Sequence, residues 1–140
     1  IAPGIYRGEG SCYWERQENV LGGFDAILAN ANTDGQFYVE IKASDFAFST
    51  GCDIASLESI LAPTGELPIK LLPGMYLVGR DILPGTYRGE GECYWERLSN
   101  VAGGFDAILA NDNTDGQFYV QLRVTDFAFS VNCAVERTGD

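Results

Sequence analysis

Residues 84–133 read PGTYRGEGECYWERLSNVAGGFDAILANDNTDGQFYVQLRVTDFAFSVNC, and residues 3–52 read PGIYRGEGSCYWERQENVLGGFDAILANANTDGQFYVEIKASDFAFSTGC. The stretches align without a gap, 81 residues apart, and differ at 13 of 50 positions. Two copies are too few for a solenoid, in which several repeats must stack to bury their faces. The duplication implies two similar folded units, or one pseudo-symmetric unit.

Inside a copy the apolar period is two. Phe118, Val120, Leu122 and Val124 alternate with Gln117, Tyr119, Gln121 and Arg123, and Phe37, Val39, Ile41 and Ala43 alternate in the same way. That pattern predicts a half-buried strand with one wet face. Phe46 with Phe48, and Phe127 with Phe129, continue it. Cys12, Trp14 and Arg16 share a face of another strand, which places Trp14 and Trp95 in the core against the cysteines. Gly22-Gly23 and Asn32-Thr33-Asp34-Gly35, with their partners Gly103-Gly104 and Asn113-Thr114-Asp115-Gly116, are turn signals. Asp-Gly between strands predicts a hairpin. The expected fold is all-β: two tandem copies of a small antiparallel β-sandwich or barrel, each with one disulfide.

The first copy is expected to span 1–52, a linker 53–74, and the second copy 75–140. In the linker, Asp53 is placed to cap a short helix carrying Ile54, Leu57 and Leu61 on one face, stopped by Pro63 and Gly65. Leu67 to Leu72 and Met75 to Val78 then read as strands.

Cys12, Cys52, Cys93 and Cys133 lie one near each end of each copy. Four cysteines allow three pairings. The repeat favours Cys12 with Cys52 and Cys93 with Cys133, while the intertwined pairing of Cys12 with Cys133 and Cys52 with Cys93 also respects the symmetry. Zinc would require closely spaced ligands, usually with His, and the chain has no His. Disulfides imply an oxidising compartment, so the protein is expected to be secreted, extracellular or on the cell surface.

The 140 residues carry a net charge of −11, with the acidic surplus shared evenly between the copies. With no basic patch, a nucleic-acid partner is not expected, and anionic membrane surfaces repel the chain. No stretch approaches the roughly 20 apolar residues of a membrane span. The start at Ile1 reads as a mature or excised product.

The second copy, led by Val78-Gly79-Arg80-Asp81-Ile82 and followed by Pro84-Gly85-Thr86-Tyr87-Arg88 and Cys93-Tyr94-Trp95, resembles a module of secreted and surface proteins of actinobacteria and related bacteria. The likeness runs over Val78 to Cys133 and over Ile1 to Cys52. It implies export and a Cys-stapled β module, and it implies no catalytic residues. Nothing before Ile1 matches Met75 to Asp81, so the first copy is expected to lack the module's first strand. An open sheet edge exposes unpaired backbone groups. Leu67 to Leu72 could fill the place within the chain, or a strand of a neighbouring chain could do so by β-augmentation.

The absence of His excludes a His-based triad. Glu9 with Glu15, and Glu90 with Glu96, read as solvated positions rather than as the paired acids of a glycosidase. Asn30 to Gly35 and Asn111 to Gly116 open like a calcium loop, but the twelfth place holds Ile41 or Leu122 where a bidentate Glu is needed. Asp34 and Asp115 remain weak calcium candidates, and no other metal site and no cofactor is expected. Tyr38 and Tyr119, on the expected wet face, could stack on sugar rings. Arg7, Arg16, Arg88 and Arg97 read as partners in exposed cross-strand ion pairs, which contribute little.

The functional expectation is a non-enzymatic extracellular structural or adhesive protein whose partner is a second copy of itself. It would self-assemble by strand pairing through Leu67, Ile69, Leu71, Tyr76 and Val78, with Ile1 and Ile5 near the acceptor. The alternative is an extracellular carbohydrate- or ligand-binding module that meets surface glycans through Tyr38 and Tyr119.

Overall fold

The computed structural model describes residues 1–140, which form fourteen strands and no α-helix. The first copy contributes β1 (Gly4–Glu9), β2 (Tyr13–Gln17), β3 (Ile27–Asn32), β4 (Gln36–Ile41), β5 (Ala47–Thr50) and β6 (Ile54–Ser56). These build two antiparallel sheets, ordered β4-β1-β6 and β3-β2-β5. The second copy contributes β7 (Lys70–Leu71), β8 (Gly74–Leu77), β9 (Gly85–Gly89), β10 (Cys93–Leu98), β11 (Ile108–Thr114), β12 (Phe118–Leu122), β13 (Ala128–Val131) and β14 (Val135–Gly139). Its sheets are ordered β12-β9-β14-β7 and β11-β10-β13-β8. Strands β9 to β14 repeat β1 to β6, while β7 and β8 add one strand to each sheet. The expected all-β tandem of small antiparallel sandwiches is the observed fold.

Only β2 and β3, and likewise β10 and β11, are sequence neighbours that pair as a hairpin, around Gly22-Gly23 and Gly103-Gly104. The Asn-Thr-Asp-Gly turns are not hairpins, contrary to expectation. β3 pairs with β2 and β4 pairs with β1, so Thr33 to Gly35 carries the chain from one sheet to the other. The Thr33 hydroxyl donates to Gly10 O at 2.7 Å, and the Thr33 N–H donates to Cys12 O at 2.8 Å. A side chain that binds backbone elsewhere offers the turn an alternative to the hairpin ladder. Gly35, at φ +88°, takes the left-handed bend this requires.

The expected helix after Asp53 is absent. Ile54–Ser56 pairs with Tyr6, Arg7 and Gly8 of β1, and a single 3₁₀ turn, Leu57–Ser59, follows. So short an amphipathic stretch cannot offset the cost of helix nucleation, whereas β1 presents a ready edge. Nor does the segment Leu67 to Leu72 complete the first copy. Lys70 and Leu71 pair with β14, and the Ile69 carbonyl accepts from Arg137 N, all within the second copy.

Cys12 is bonded to Cys52 and Cys93 to Cys133, one bridge in each copy. The first clamps the β1–β2 corner to the corner that leaves β5, and the second clamps the start of β10 to the corner that leaves β13. Closing a 40-residue loop contributes about 4 kcal/mol in the chain-entropy account. Trp14 is buried among Cys12, Cys52, Phe37 and Val39, as its phase with the cysteines predicts. In the second copy Tyr87, Leu122 and Phe129 fill the core, joined by Leu71 of β7 and by Ile82.

Arg16 and Arg97 are not exposed, contrary to expectation. Arg16 donates through Nε and Nη2 to both oxygens of Asp45 at 2.7 Å, and Arg97 does the same to Asp126 at 2.7 and 2.8 Å. A guanidinium fork matches two carboxylate oxygens, and such bidentate pairs are the strong ones. The Arg16 bonds are the main influence holding the Asp45 carboxyl below its usual range. Burial acts to raise the Asp126 carboxyl, but the bonds from Arg97 and the Arg123 N–H outweigh it and the net shift is downward.

The copies meet through a third apolar cluster. Tyr38 of β4 lies buried among Leu77, Leu98, Val101, Ala107 and Ala128 of the second copy. Its hydroxyl donates to Asp81 Oδ2 at 2.6 Å. Burial, reinforced by the bond to Asp81, pushes the phenol well above its ordinary value. Tyr38 is therefore not on a wet face, because the second copy covers it. The loop between β10 and β11 is also seated on the first copy. Val101 O accepts from Glu40 N at 2.9 Å, and Ala102 O accepts from Arg16 Nη1 at 2.7 Å. Gly103 follows, lying over Trp14.

Asp45 and Asp126 titrate lower folded than unfolded, so their stabilisation is present above the unfolded carboxyl value of about 4 and is lost as pH falls through the lower folded values. Asp126→Asn should cost about 3 kcal/mol at pH 7 and flatten the fall in stability below pH 4, read from urea unfolding at several pH values. Gly22 and Gly103 share φ near +90° (+84° and +91°), but a Cβ at Gly103 would lie 2.5 Å from the Trp14 ring while one at Gly22 meets nothing. Gly22→Ala should cost about 1–2 kcal/mol for backbone strain alone, and Gly103→Ala about 1–3 kcal/mol more.

Candidate functional site

The join between the copies leaves a cleft of about 380 Å³ beside it. The first copy supplies one wall from β3 and the turn after it, Asn30 to Asp34, with Trp14 beneath. The second copy supplies the other wall from Tyr94 and Glu96 of β10, from Asn100 and Phe105 of the following loop, and from Ser130 and Asn132 beyond. None of the nine Lys and Arg residues lines it.

Strand register places the polar groups. Tyr94, Glu96 and Asn111 form a ladder across β10 and β11, in which the Tyr94 hydroxyl donates to Glu96 Oε2 at 3.0 Å and accepts from Asn111 Nδ2 at 3.0 Å. Tyr13, Glu15 and Asn30 repeat the ladder in the first copy at 2.8 and 2.9 Å. Burial is the main reason the Tyr94 phenol sits above its ordinary range, with the nearby Glu96 acting in the same direction. Asn132 Oδ1 accepts from Tyr94 N at 2.7 Å and Asn100 Oδ1 from Ala102 N at 3.0 Å. Each of these asparagines is anchored by its oxygen, and its Nδ2 has no partner within the chain. Phe105 stands at the rim, 93% exposed, on the 3₁₀ turn Phe105–Ala107.

The join is not symmetric, because the first copy contributes a socket and the second a plug. The counterpart socket on the second copy, Trp95, Arg97, Ala110, Tyr119 and Gln121, has no loop seated on it, and Tyr119 is 57% exposed where Tyr38 is 1%. Arg97 Nη1 donates to nothing within the chain, whereas Arg16 Nη1 binds the plug. The counterpart plug on the first copy also stands in the open. Val20 is 69% and Leu21 88% exposed, against 2% and 5% for Val101 and Ala102.

Leu71 and Tyr76 lie in the second copy's own strands, with Val78 in an isolated bridge to Ile82 and Leu67 just before β7. Ile69 is half exposed. Ile5 packs beside Tyr38 at the join, and Ile1 is exposed. Asp34 lines the cleft, Asp115 occupies the matching turn of the second copy, and no group of three or more carboxylate or cysteine side chains gathers at either. Glu9 and Glu15 lie on different sheets. The asparagines and Phe105 of the cleft escape sequence reading, because the two walls are far apart in the chain. A signal for the join does exist: Ile5 and Leu98 are apolar where their counterparts, Thr86 and Gln17, are polar.

No helix is long and apolar enough to cross a membrane. No curated protein and no solved structure matches the chain. One family does match, over residues 1–53 and again over 68–135, so that both copies are covered and the second match takes in β7 and β8. With a disulfide in each copy, the protein is extracellular, and the chain belongs to the family described as Rv1352-like extracellular domain.

Proposed function

We propose that the protein is a non-enzymatic structural or adhesive component of the cell exterior that associates head to tail with further copies of itself. The observation that carries this is the asymmetry of the join between its two halves. A plug loop of one copy sits in the socket of the other, and each molecule retains one unused plug and one unused socket of nearly the same sequence. A heterologous contact of this kind does not saturate at a dimer, and repeating it produces rings or filaments.

The mechanism differs from donation of a strand. β7 and β8 are engaged in the second copy's own sheets, and withdrawing them would unpair backbone and expose Leu71 and Leu77. Docking of the loop Asn19 to Gly23 requires no such opening. It would bury Val20 and Leu21, each contributing about 1.5–3 kcal/mol on full burial. Arg97 Nη1 is available to take a loop carbonyl, as Arg16 Nη1 takes that of Ala102.

Thr86 stands in the place of Ile5, and Gln17 in that of Leu98. Both changes remove apolar surface from the unused faces, so the contact between molecules is weaker than the one inside the molecule. Leu21 in place of Ala102 acts in the opposite direction.

Sedimentation velocity over a wide concentration range should show growth that continues past the dimer. Leu21→Glu disables the plug and Tyr119→Glu the socket, and each variant alone should remain monomeric. Mixed, they should form a one-to-one complex and nothing larger, since one intact plug meets one intact socket. A wild-type protein that stays monomeric at every concentration, or a mixture that does not associate, would overturn the proposal.

A further inference from the structure

We infer that the cleft between the copies is a binding site for a short neutral oligosaccharide. This goes beyond self-association, and it rests on groups that the plug and socket do not use for that contact. The volume of about 380 Å³ falls at the small end of ligand sites, roughly 300–1,000 Å³, which suits one or two sugar rings.

The chemistry of the walls narrows the ligand. Sugar hydroxyls both donate and accept hydrogen bonds, so a sugar site needs both kinds of partner. The Nδ2 groups of Asn100 and Asn132 are donors whose orientation is set by the bonds their own oxygens accept from Ala102 N and Tyr94 N. Glu96 Oε1 and Asn30 Oδ1 are acceptors, each fixed because the other end of its side chain is engaged by a tyrosine hydroxyl. Groups held in this way lose little freedom when a ligand arrives. Phe105 adds an apolar ring face at the mouth, suited to the C–H face of a pyranose.

Charge excludes anionic ligands. No Lys or Arg lines the cleft and the chain carries −11 overall, so acidic sugars and phosphates have nothing to pair with. Two carboxylates, Asp34 and Glu96, line the cleft, so a neutral ligand is separated from a cationic one by the Glu96→Gln variant. The same triad recurs in the first copy as Tyr13, Glu15 and Asn30, of which only Asn30 reaches the cleft.

The duplication supplies an internal control. Phe24 occupies the position of Phe105 in the first copy and is also 93% exposed, but it does not line the cleft. The test is a glycan array of neutral gluco-, manno- and galacto-oligosaccharides beside uronate and sulfated ones, followed by calorimetry with the strongest neutral hit. The Leu21→Glu background keeps self-association out of the measurement. Phe105→Ala should weaken binding about tenfold and leave the melting temperature unchanged, while Phe24→Ala should leave both unchanged. Glu96→Gln, which keeps an acceptor, should change affinity less than threefold. The inference is overturned if no neutral glycan binds, if only acidic glycans bind, or if Phe24→Ala weakens binding as much as Phe105→Ala. A large loss in Glu96→Gln would also overturn it, by indicating a cationic ligand.

Discussion

The hydroxyl of Tyr38, buried at the join and donating to Asp81, determines how the two halves of the molecule are arranged. A phenol enclosed by Leu77, Leu98, Val101 and Ala128 would be costly without an acceptor. Asp81 provides it from the turn after β8, itself held by the Leu77 N–H at 2.9 Å and by Arg80 at 3.0 Å. The bond thus fixes β4 of one copy against β8 and its turn in the other. Both faces of β4 become interior as a result, and Phe37, Tyr38 and Val39 are all nearly inaccessible. The plug loop and the cleft both follow from that placement.

Size explains why such a join is needed. A unit of about 50 residues encloses little apolar volume, and one disulfide compensates for only part of that shortage. The second copy enlarges its core with Leu71 of β7 and Ile82 of the turn, and β8 covers the edge of β13, leaving Phe129 fully buried. The first copy has only six strands and a smaller core, and it gains further burial from its neighbour. The pair of half-modules is consequently asymmetric although its sequence is nearly symmetric. The differences between the copies bear this out at two places: Ile5 and Leu98 face the join, while Thr86 and Gln17 do not.

Much of the fold could be read locally, and the misreadings share one cause. The alternation through Val120 and Leu122 depends on two-residue periodicity, which any half-buried strand displays, and it was legible. So was Trp14, through its phase with Cys12. The Asn-Thr-Asp-Gly turn was misjudged because its hairpin propensity is local, whereas Thr33 binds Gly10 and Cys12 on a distant corner. Ile54–Ser56 resembled a helix start until β1 offered it an edge. Arg16 seemed a surface residue because its partner, Asp45, lies 29 positions away and the loop that covers it belongs to the other copy. The cleft was illegible for the same reason, since neither wall has a shape that a single copy reveals. Burial of a polar residue by a second domain leaves almost no trace in that residue's own neighbourhood.

The plug loop unites the two proposed activities. Its first half, Val101 and Ala102, is seated in the socket, and its second half turns outward and raises Phe105 at the rim of the cleft. One loop therefore both makes the contact and shapes the site beside it. The same division exists in the first copy, where Val20 and Leu21 precede Phe24. Docking of that loop on another molecule's Tyr119 face would set Tyr13, Glu15 and Phe24 opposite Asn111 and Asn113, in the arrangement that Tyr94, Glu96 and Phe105 have opposite Asn30 and Asn32. Each head-to-tail contact would then generate a new cleft with most of the original groups. The exceptions are Asn132, Leu98 and Val131, replaced by Gly51, Gln17 and Thr50, Ala31, replaced by Asp112, and Gly74 and Met75, which have no counterpart in the first copy. Because such a site exists only when both walls are present, a ligand that bridges them favours the assembled state by mass action. Association and ligand binding would be thermodynamically linked through a single nine-residue loop between β2 and β3.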